Sequence, residues 1–262
     1  MCPHCRAMIT LDEKVCPYCD AKLGSRAIDL RVPNDLLGGL MPGNRFVTSM
    51  LLLVNGLIFL TLFLSENSYF LVSAWKDGRG ILIRGELWRL ITAGYLHKDI
   101  LHIAMNAFAI FQMGAFVEEL YGAKRMFTSY TVATICGFLA SSLWNPTIPS
   151  LGASAGAFGL IGALIAYGVN SKTSMGDAMK KYYIESAVFS VLVTWLLNFP
   201  IDNAAHLGGL AGGFVTSWLA GEPRLIDDWK EKIWSVGAVL SLLITIGAFV
   251  KMYLHFVMIS AK

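Results

Sequence analysis

Residues 152–169 read GASAGAFGLIGALIAYGV, an apolar run without a charged residue. A helix of this length crosses most of the hydrocarbon core of a bilayer, which is about 30 Å thick. Glycine and alanine recur along the run, and small residues of this kind let membrane helices approach one another closely. The stretch therefore predicts an inner helix of a membrane bundle, shielded from lipid by longer neighbours.

The whole chain shares this apolar character. It has 262 residues, of which 55% are hydrophobic and 15% charged, and its mean hydropathy is +0.58. A soluble domain usually carries about a quarter charged residues, so an ordinary cytosolic enzyme, a collagen and a disordered tail are excluded. The net charge of +3 is too small to suggest a nucleic acid partner. The composition indicates an integral membrane protein whose surroundings are the lipid bilayer.

Seven runs qualify as candidate membrane spans, because a spanning helix needs roughly 20 apolar residues. We predict an all-α, polytopic membrane helix bundle. The last run is long and apolar, so we expect it at the periphery of the bundle. The runs are residues 46–64, 100–117, 126–144, 154–169, 182–199, 205–220 and 233–258.

Lys and Arg residues are distributed unevenly between alternate connections. If the N-terminus is cytoplasmic, the cytoplasmic connections hold roughly twice as many of them as the opposite side. The positive-inside rule therefore predicts a cytoplasmic N-terminus and, with seven spans, a C-terminus outside. We expect a multi-pass protein of a prokaryotic plasma membrane.

Four polar side chains fall at one depth in this arrangement. The second span begins near His102 and Asn106, the fourth at Ser154 and the sixth at His206, and all three enter from the same side. Such groups are costly in hydrocarbon and usually face a wet cavity or one another. A helix start offers Ser154 backbone N–H groups that stabilise an oxyanion, and His206 can act as its base. His102 and Asn106 are four residues apart and present N–H donors on one helix face.

Each of these residues also has a structural interpretation. A serine between glycines, such as Ser154, usually serves close helix packing, and a single intramembrane His or Asn is often an interhelical hydrogen bond. Their joint placement favours a catalytic site. Asp202, on a short loop, is the only acidic residue within a helical turn of His206, so a Ser–His dyad is a simpler hypothesis than a triad. Phe158, one turn after Ser154, could stack on His206 or simply belong to the core.

Glycines spaced by four occur in both the fourth and the sixth run. Gly152 lies just before the fourth run and Gly156 lies in its first turn, whereas Gly208 and Gly212 both lie in the sixth run. This spacing lets two membrane helices approach closely. We expect these two helices to be neighbours.

Several short motifs follow one another along the chain: Trp88-Arg89, His102-x-x-x-Asn106, Glu118 followed by Gly122, Gly152-Ala153-Ser154, and Ala205-His206-Leu207-Gly208-Gly209 with Gly213. In this order and spacing they resemble the rhomboid family of intramembrane serine proteases. The resemblance covers roughly residues 46–220 and implies a six-helix core, to which the run 233–258 is an addition. The chain departs from the family at Ala155, where glycine is usual, and at Phe158, where tyrosine is frequent.

By this resemblance, Ser154 is the nucleophile, His206 is the general base, and His102, Asn106 and the Ser154 backbone N–H form the oxyanion hole. The implied activity is that of a serine endopeptidase that hydrolyses transmembrane segments of single-span membrane proteins, with no cofactor in catalysis. The alternative is a proteolytically inactive relative that binds transmembrane helices. Such relatives generally lack the nucleophile or the base, and this chain has both. A transporter or channel is disfavoured, because its charged residues would be spread over several depths.

Four of the five cysteines form two C-x-x-C pairs, Cys2 with Cys5 and Cys16 with Cys19. Two such pairs can place four thiolates around a Zn²⁺ ion, and a cytoplasmic location keeps thiols reduced. We predict a zinc-ribbon-like knuckle whose role is either structural or that of a docking site for a cytoplasmic partner, the alternatives to zinc being a redox dithiol or an unstructured tail. The predicted domains are the knuckle (1–22), a linker (23–45), the rhomboid core (46–220) and a loop with the additional helix (221–262).

Overall fold

A computed structural model describes residues 15–16, 18–19, 45–65, 68–197, 200–221 and 229–260. Within these ranges the helices are numbered in chain order, and their bounds are α1 (Phe46–Ser65), α2 (Ser68–Ala74), α3 (Gly78–Arg84), α4 (Arg89–Thr92), α5 (Ile100–Ala109), α6 (Ala115–Tyr121), α7 (Ala123–Trp144), α8 (Ser154–Asn170), α9 (Ser174–Leu196), α10 (Asn203–Ala220) and α11 (Trp229–Ser260).

The predicted all-α membrane bundle is confirmed, and all seven apolar runs lie on helices. In the described part of the chain, four helical segments are long and apolar enough to cross a membrane. The shorter α8 is apolar and almost wholly buried. The six-helix core is formed by α1, the joined α5 and α6, and α7 to α10, and α11 is the seventh. The four segments are Phe46–Ser65, Ile100–Tyr121, Ala123–Trp144 and Glu231–Met258.

Two helices differ most from the predicted runs. The second span continues to Tyr121, and one turn of π-helix at Ile110–Gly114 joins α5 to α6. The helix α9 begins at Ser174 rather than at residue 182, because Thr173 caps it by accepting a hydrogen bond from the Gly176 N–H. Its first turns carry charged residues, so a search for uninterrupted apolar runs does not include them. The predicted end of this run, residue 199, lies outside the described residues.

The helices α8 and α10 meet backbone to backbone. A Cβ atom on Gly209 would lie 2.1 Å from the Ala155 carbonyl oxygen, and one on Gly213 would lie 2.1 Å from the Gly159 carbonyl oxygen. No side chain fits at either position, so glycine is required for this approach. The expectation that the fourth and sixth runs are neighbours is confirmed, and α7 packs on both of them.

The last helix, α11, lies at the periphery as predicted. Most of its apolar side chains are exposed, in the manner of a lipid-facing helix, whereas Ala248 and Met252 are buried against the bundle. At the opposite end from these two residues, the Arg125 guanidinium donates to both carboxylate oxygens of Glu231, at 2.7 and 2.8 Å. This ion pair fastens α11 to α7.

The predicted metal knuckle falls largely outside the described residues. Cys2 and Cys5 and most of the linker 23–45 lie outside them, whereas Cys16 is buried and Cys19 is half-buried. The zinc ligands and the N-terminal domain boundaries therefore stay predictions.

Candidate active site

Ser154 is the first residue of α8. The chain reaches it through Gly152, whose φ of +125° is a conformation that side chains with a Cβ rarely adopt. The Gly152 N–H donates to the Ala93 carbonyl at 2.9 Å, which holds the approach to the helix in place. The first N–H groups of a helix have no intrahelical acceptor. Ser154 therefore lies, half-buried, where backbone donors are available to a developing anion.

His206 lies in the first turn of α10, next to the first turn of α8. Its ring stacks on Phe158, with the ring centroids 4.1 Å apart and 12° between the planes. Phe158 is one turn after Ser154 on the same helix. The His206 side chain is 5% exposed, so the stack fixes its ring in a nearly closed environment. Of the two interpretations of Phe158, the stack on His206 is the one that the structure shows.

Asp202 does not complete a triad. Its carboxylate accepts from the Ala205 N–H at 3.0 Å, which caps α10, and from the Ser141 hydroxyl. The buried Nδ1 atom of His206 has no hydrogen-bond partner among the described residues. Packing on Phe158, rather than a carboxylate, thus orients the imidazole. Nor does any hydrogen bond join Ser154 to His206 in the described part of the chain. Such bonds are often long in substrate-free enzymes and tighten when substrate binds.

His102 and Asn106 both face the segment before Ser154. A Cβ atom on Gly152 would lie 2.6 Å from His102 Nε2 and 3.7 Å from Asn106 Nδ2. Asp99 caps α5 by accepting from the His102 N–H at 2.8 Å, and Asn106 Nδ2 donates to the His102 carbonyl at 3.0 Å. The structure therefore brings these two side chains together beside the start of α8.

His97 also belongs to this site, although sequence reasoning missed it. It is 3% exposed, its Nε2 accepts from the Ala153 N–H at 3.5 Å, and its ring lies edge-on to His102 at 5.1 Å. Burial lowers the pKa of His97 to about 3, the charge of His102 acts in the same direction, and Asp99 opposes both. The ring is thus neutral at pH 7. Because His97 lies in a loop, a search for polar residues within spans could not find it.

Arg89, of the Trp88-Arg89 motif, organises the loop between α1 and α5. It is 5% exposed, and its Nη1 donates to the carbonyls of Val72 and Trp75 at 2.8 and 3.0 Å. Its Nε donates to Glu86 at 2.5 Å. These bonds tie the end of α2 to α4, so Arg89 has a structural role.

Glu118 is structural too. Its carboxylate accepts from the backbone N–H groups of Val47 and Thr48 at 2.8 and 2.9 Å, and from the Thr48 hydroxyl at 2.8 Å. A carboxylate at this place satisfies the free donors at the start of α1. The motif residue Glu118 thus fixes α1 to the second span, at the end of the bundle away from the site.

A rhomboid domain model matches residues 84–223, which is more than half of the chain. The chain belongs to the rhomboid family. This rhomboid is 32% identical over 190 residues to "Rhomboid protease GluP" of Bacillus subtilis (strain 168), a match that covers 70% of the chain and 35% of that protein. It is 32% identical over 147 residues to "Rhomboid-like protease 3" of Toxoplasma gondii, covering 55% of the chain and 56% of that protein.

An inactive member is among the relatives of this rhomboid. "Inactive RHOMBOID-like protein 8" of Arabidopsis thaliana is 30% identical over 126 residues, which cover 47% of the chain and 35% of that protein. The chain thus spans about a third to a half of the length of these relatives. Together with the apolar helices, the family establishes an integral membrane protein.

Proposed function

We propose that this rhomboid is an intramembrane serine endopeptidase that uses Ser154 as nucleophile and His206 as base. The observation that carries the proposal is the stack of the His206 ring on Phe158, one turn after Ser154. Because Phe158 and Ser154 share the first turns of α8, the stack supports an imidazole close to a serine at a helix start, and the approach of His102 and Asn106 to Gly152 supports N–H donors there. A nucleophile, a base and a set of N–H donors are the parts that acyl transfer requires.

In the proposed reaction, the Ser154 hydroxyl attacks the scissile carbonyl carbon while the His206 imidazole takes its proton. The negative charge that develops on the carbonyl oxygen is stabilised by the Ser154 backbone N–H and the side chains of His102 and Asn106. The C–N bond then breaks, and His206 gives its proton to the leaving amine. A water molecule, deprotonated by His206, hydrolyses the acyl-enzyme and regenerates the free serine.

The proposed substrates are transmembrane segments of single-span proteins in the same bilayer. A transmembrane helix hides its carbonyls in hydrogen bonds between residues i and i+4, so it must unwind locally before attack. Helix-breaking residues near the cleaved bond favour this step.

In the proposed orientation, which rests on the distribution of Lys and Arg, the N-terminus is cytoplasmic and the C-terminus outside. The proposed location is a prokaryotic plasma membrane.

A second candidate function is that of an inactive rhomboid that binds transmembrane helices. The 30% identical relative named as inactive favours it. A fluorophosphonate probe separates the two functions, because only an activated serine reacts with it. Labelling of Ser154 that requires His206 supports the protease, and an unreactive Ser154 supports the binding protein.

The decisive experiment is cleavage of a single-span model substrate in proteoliposomes. We expect Ser154→Ala and His206→Ala to abolish cleavage while the protein stays folded, because each removes one reacting group. Ser171→Ala is the matched control: its hydroxyl lies just beyond the other end of α8 and pairs with Thr173. Cleavage retained in both site variants would eliminate the proposed mechanism.

We further propose that Cys2, Cys5, Cys16 and Cys19 bind one structural Zn²⁺ ion and that this knuckle docks a cytoplasmic partner. Four thiolates in two C-x-x-C pairs are the donor set that zinc prefers. Purified protein should then contain about one zinc per chain, and the Cys2→Ser/Cys5→Ser double variant should lose it. Protein that purifies without stoichiometric metal contradicts the assignment.

A further inference from the structure

The loop that leads into Ser154, residues 145–153, packs against the segment between α1 and α5. Lys76 and Ser150 exchange two backbone hydrogen bonds, at 2.8 and 3.2 Å, and the Arg79 N–H donates to the Pro146 carbonyl at 3.2 Å. The conformation of residues 145–153 therefore depends on a surface supplied by a segment about seventy positions earlier.

The Lys76 side chain is the centre of this contact. Its ammonium group donates to the carbonyls of Asn145 and Ile148 at 2.6 and 2.8 Å, and the residue is 0% exposed. The Ile148 N–H also bonds to the Asn145 carbonyl, at 3.4 Å, so the ammonium group closes a tight turn. Lysine is almost never fully buried unless its charge is paired. Because Lys76 is fully buried, its charge is expected to be balanced by acidic groups.

Burial and two carboxylates act on the pKa of Lys76 in opposite directions. Burial lowers the pKa of Lys76, and the carboxylates of Asp202 and Asp77 partly counteract this by raising it. Asp202 caps α10 by accepting a hydrogen bond from the N–H of Ala205, the residue directly before His206. The N–H groups of Lys76 thus hold the loop that carries Ser154, and Asp202, at the beginning of the helix that carries His206, raises the pKa of Lys76.

We propose that Lys76 is a positioning residue for the peptidase reaction, fixing residues 145–153, the loop that leads into Ser154. This inference rests on the proposed function for its catalytic consequence. Lys76 touches no reacting atom; it acts through the loop before Ser154. Its removal should therefore misplace the nucleophile relative to the base, and lower turnover more than it weakens substrate binding.

The chain offers a matched control three residues further on. Arg79 belongs to the same loop and carries the same charge, but its side chain is exposed and its backbone N–H makes the bond to Pro146. Arg79→Met thus removes one positive charge and leaves the contact with residues 145–153 intact. Lys76→Met removes the same charge together with both side-chain hydrogen bonds. Lys76→Gln keeps one donor-bearing amide of nearly the same size.

The experiment uses the full-length protein in liposomes and two independent readouts. Amide hydrogen exchange is followed in residues 145–153, and kcat and KM are measured for cleavage of a single-span substrate. For Lys76→Met we expect exchange in the loop to rise by about tenfold or more, because the opened turn exposes its N–H groups. We expect kcat to fall by about tenfold to a hundredfold, the usual cost of misplacing reacting groups by 1 Å, with KM within about twofold of the wild type.

Lys76→Gln should lie between Lys76→Met and the wild type in both readouts, and Arg79→Met should equal the wild type. If Lys76→Met does not assemble in the membrane, Lys76→Gln decides the question alone. Wild-type exchange and wild-type kcat in the Lys76 variants would overturn the proposal. Wild-type protein that cleaves no substrate would refute the protease instead, and exchange in residues 145–153 would still show whether Lys76 holds the loop.

Discussion

Gly209 offers the sharpest test of the idea that a backbone contact between α8 and α10 sets the distance between serine and histidine. A Cβ atom at this position would lie 2.1 Å from the Ala155 carbonyl oxygen and 2.9 Å from its carbonyl carbon. Ordinary contact begins near 3.4 Å. Gly209→Ala must therefore separate the two helices by roughly 1 Å, because helix backbones in a packed bundle cannot yield locally. The separation falls beside Ser154, which precedes Ala155, and one turn from His206.

Two effects follow, and they differ in size. Inserting a methyl group into a filled contact costs about 1–3 kcal/mol of folding stability, which the bundle should survive. A displacement of 1 Å between reacting groups costs about a hundredfold in rate. We therefore expect Gly209→Ala to remain folded, with a modestly lower midpoint of thermal unfolding, and to cleave the model substrate about a hundredfold more slowly.

Gly247→Ala is the control for this change. Gly247 lies on the peripheral helix α11, and a Cβ atom there would meet no described atom within 4 Å. This variant should cleave at the wild-type rate and gain up to about 1 kcal/mol from the better helix propensity of alanine. A Gly209→Ala protein with wild-type cleavage and wild-type thermal stability would refute the reasoning. It would show that the contact between Gly209 and Ala155 can accommodate a methyl group.

Three further outcomes are expected. His102→Ala and Asn106→Ala should each lower kcat by about tenfold to a thousandfold, as the loss of an oxyanion donor does; unchanged rates would assign both residues to packing. His97→Ala should lower kcat as well, because the Ala153 peptide loses its partner, and unchanged kinetics would make that contact incidental. The depressed pKa of His97, about 3, means that the unfolded chain takes up a proton below about pH 6.5 that the folded chain resists. Thermal stability should therefore fall between pH 6.5 and pH 3 more steeply in the wild type than in His97→Gln, and equal slopes would contradict this account.

The spans were predictable because the bilayer dictates their length and apolar character. All seven predicted runs are helical, and the largest error, at the start of α9, arose where the helix continues into charged residues beyond the apolar run. Ser154, His206, His102 and Asn106 could be nominated because polar groups within spans are rare enough to stand out. Their grouping at one end of the bundle followed from the alternation of the spans.

The residues that hold the site could not be nominated in the same way. Lys76 and His97 lie in a long loop, where a lysine or a histidine is unremarkable, and their partners are 69 and 56 positions away. Trp88-Arg89 and Glu118 stood out by family resemblance, which did not say that Arg89 ties a loop together or that Glu118 caps α1. Nothing in the composition of a loop indicates which carbonyl groups it will meet.

The sequence by itself determined the class of protein, the order of the seven apolar helices, and the candidate residues for acyl transfer. These follow from properties that act along the chain: the free energy of placing side chains in hydrocarbon, and the periodicity of a helix. Tertiary structure alone decided that His206 stacks on Phe158, that Asp202 caps a helix instead of orienting the imidazole, and that a buried lysine closes the turn before Ser154. Those outcomes depend on which backbone groups remain without partners once the helices have packed, and that is a property of the folded bundle as a whole.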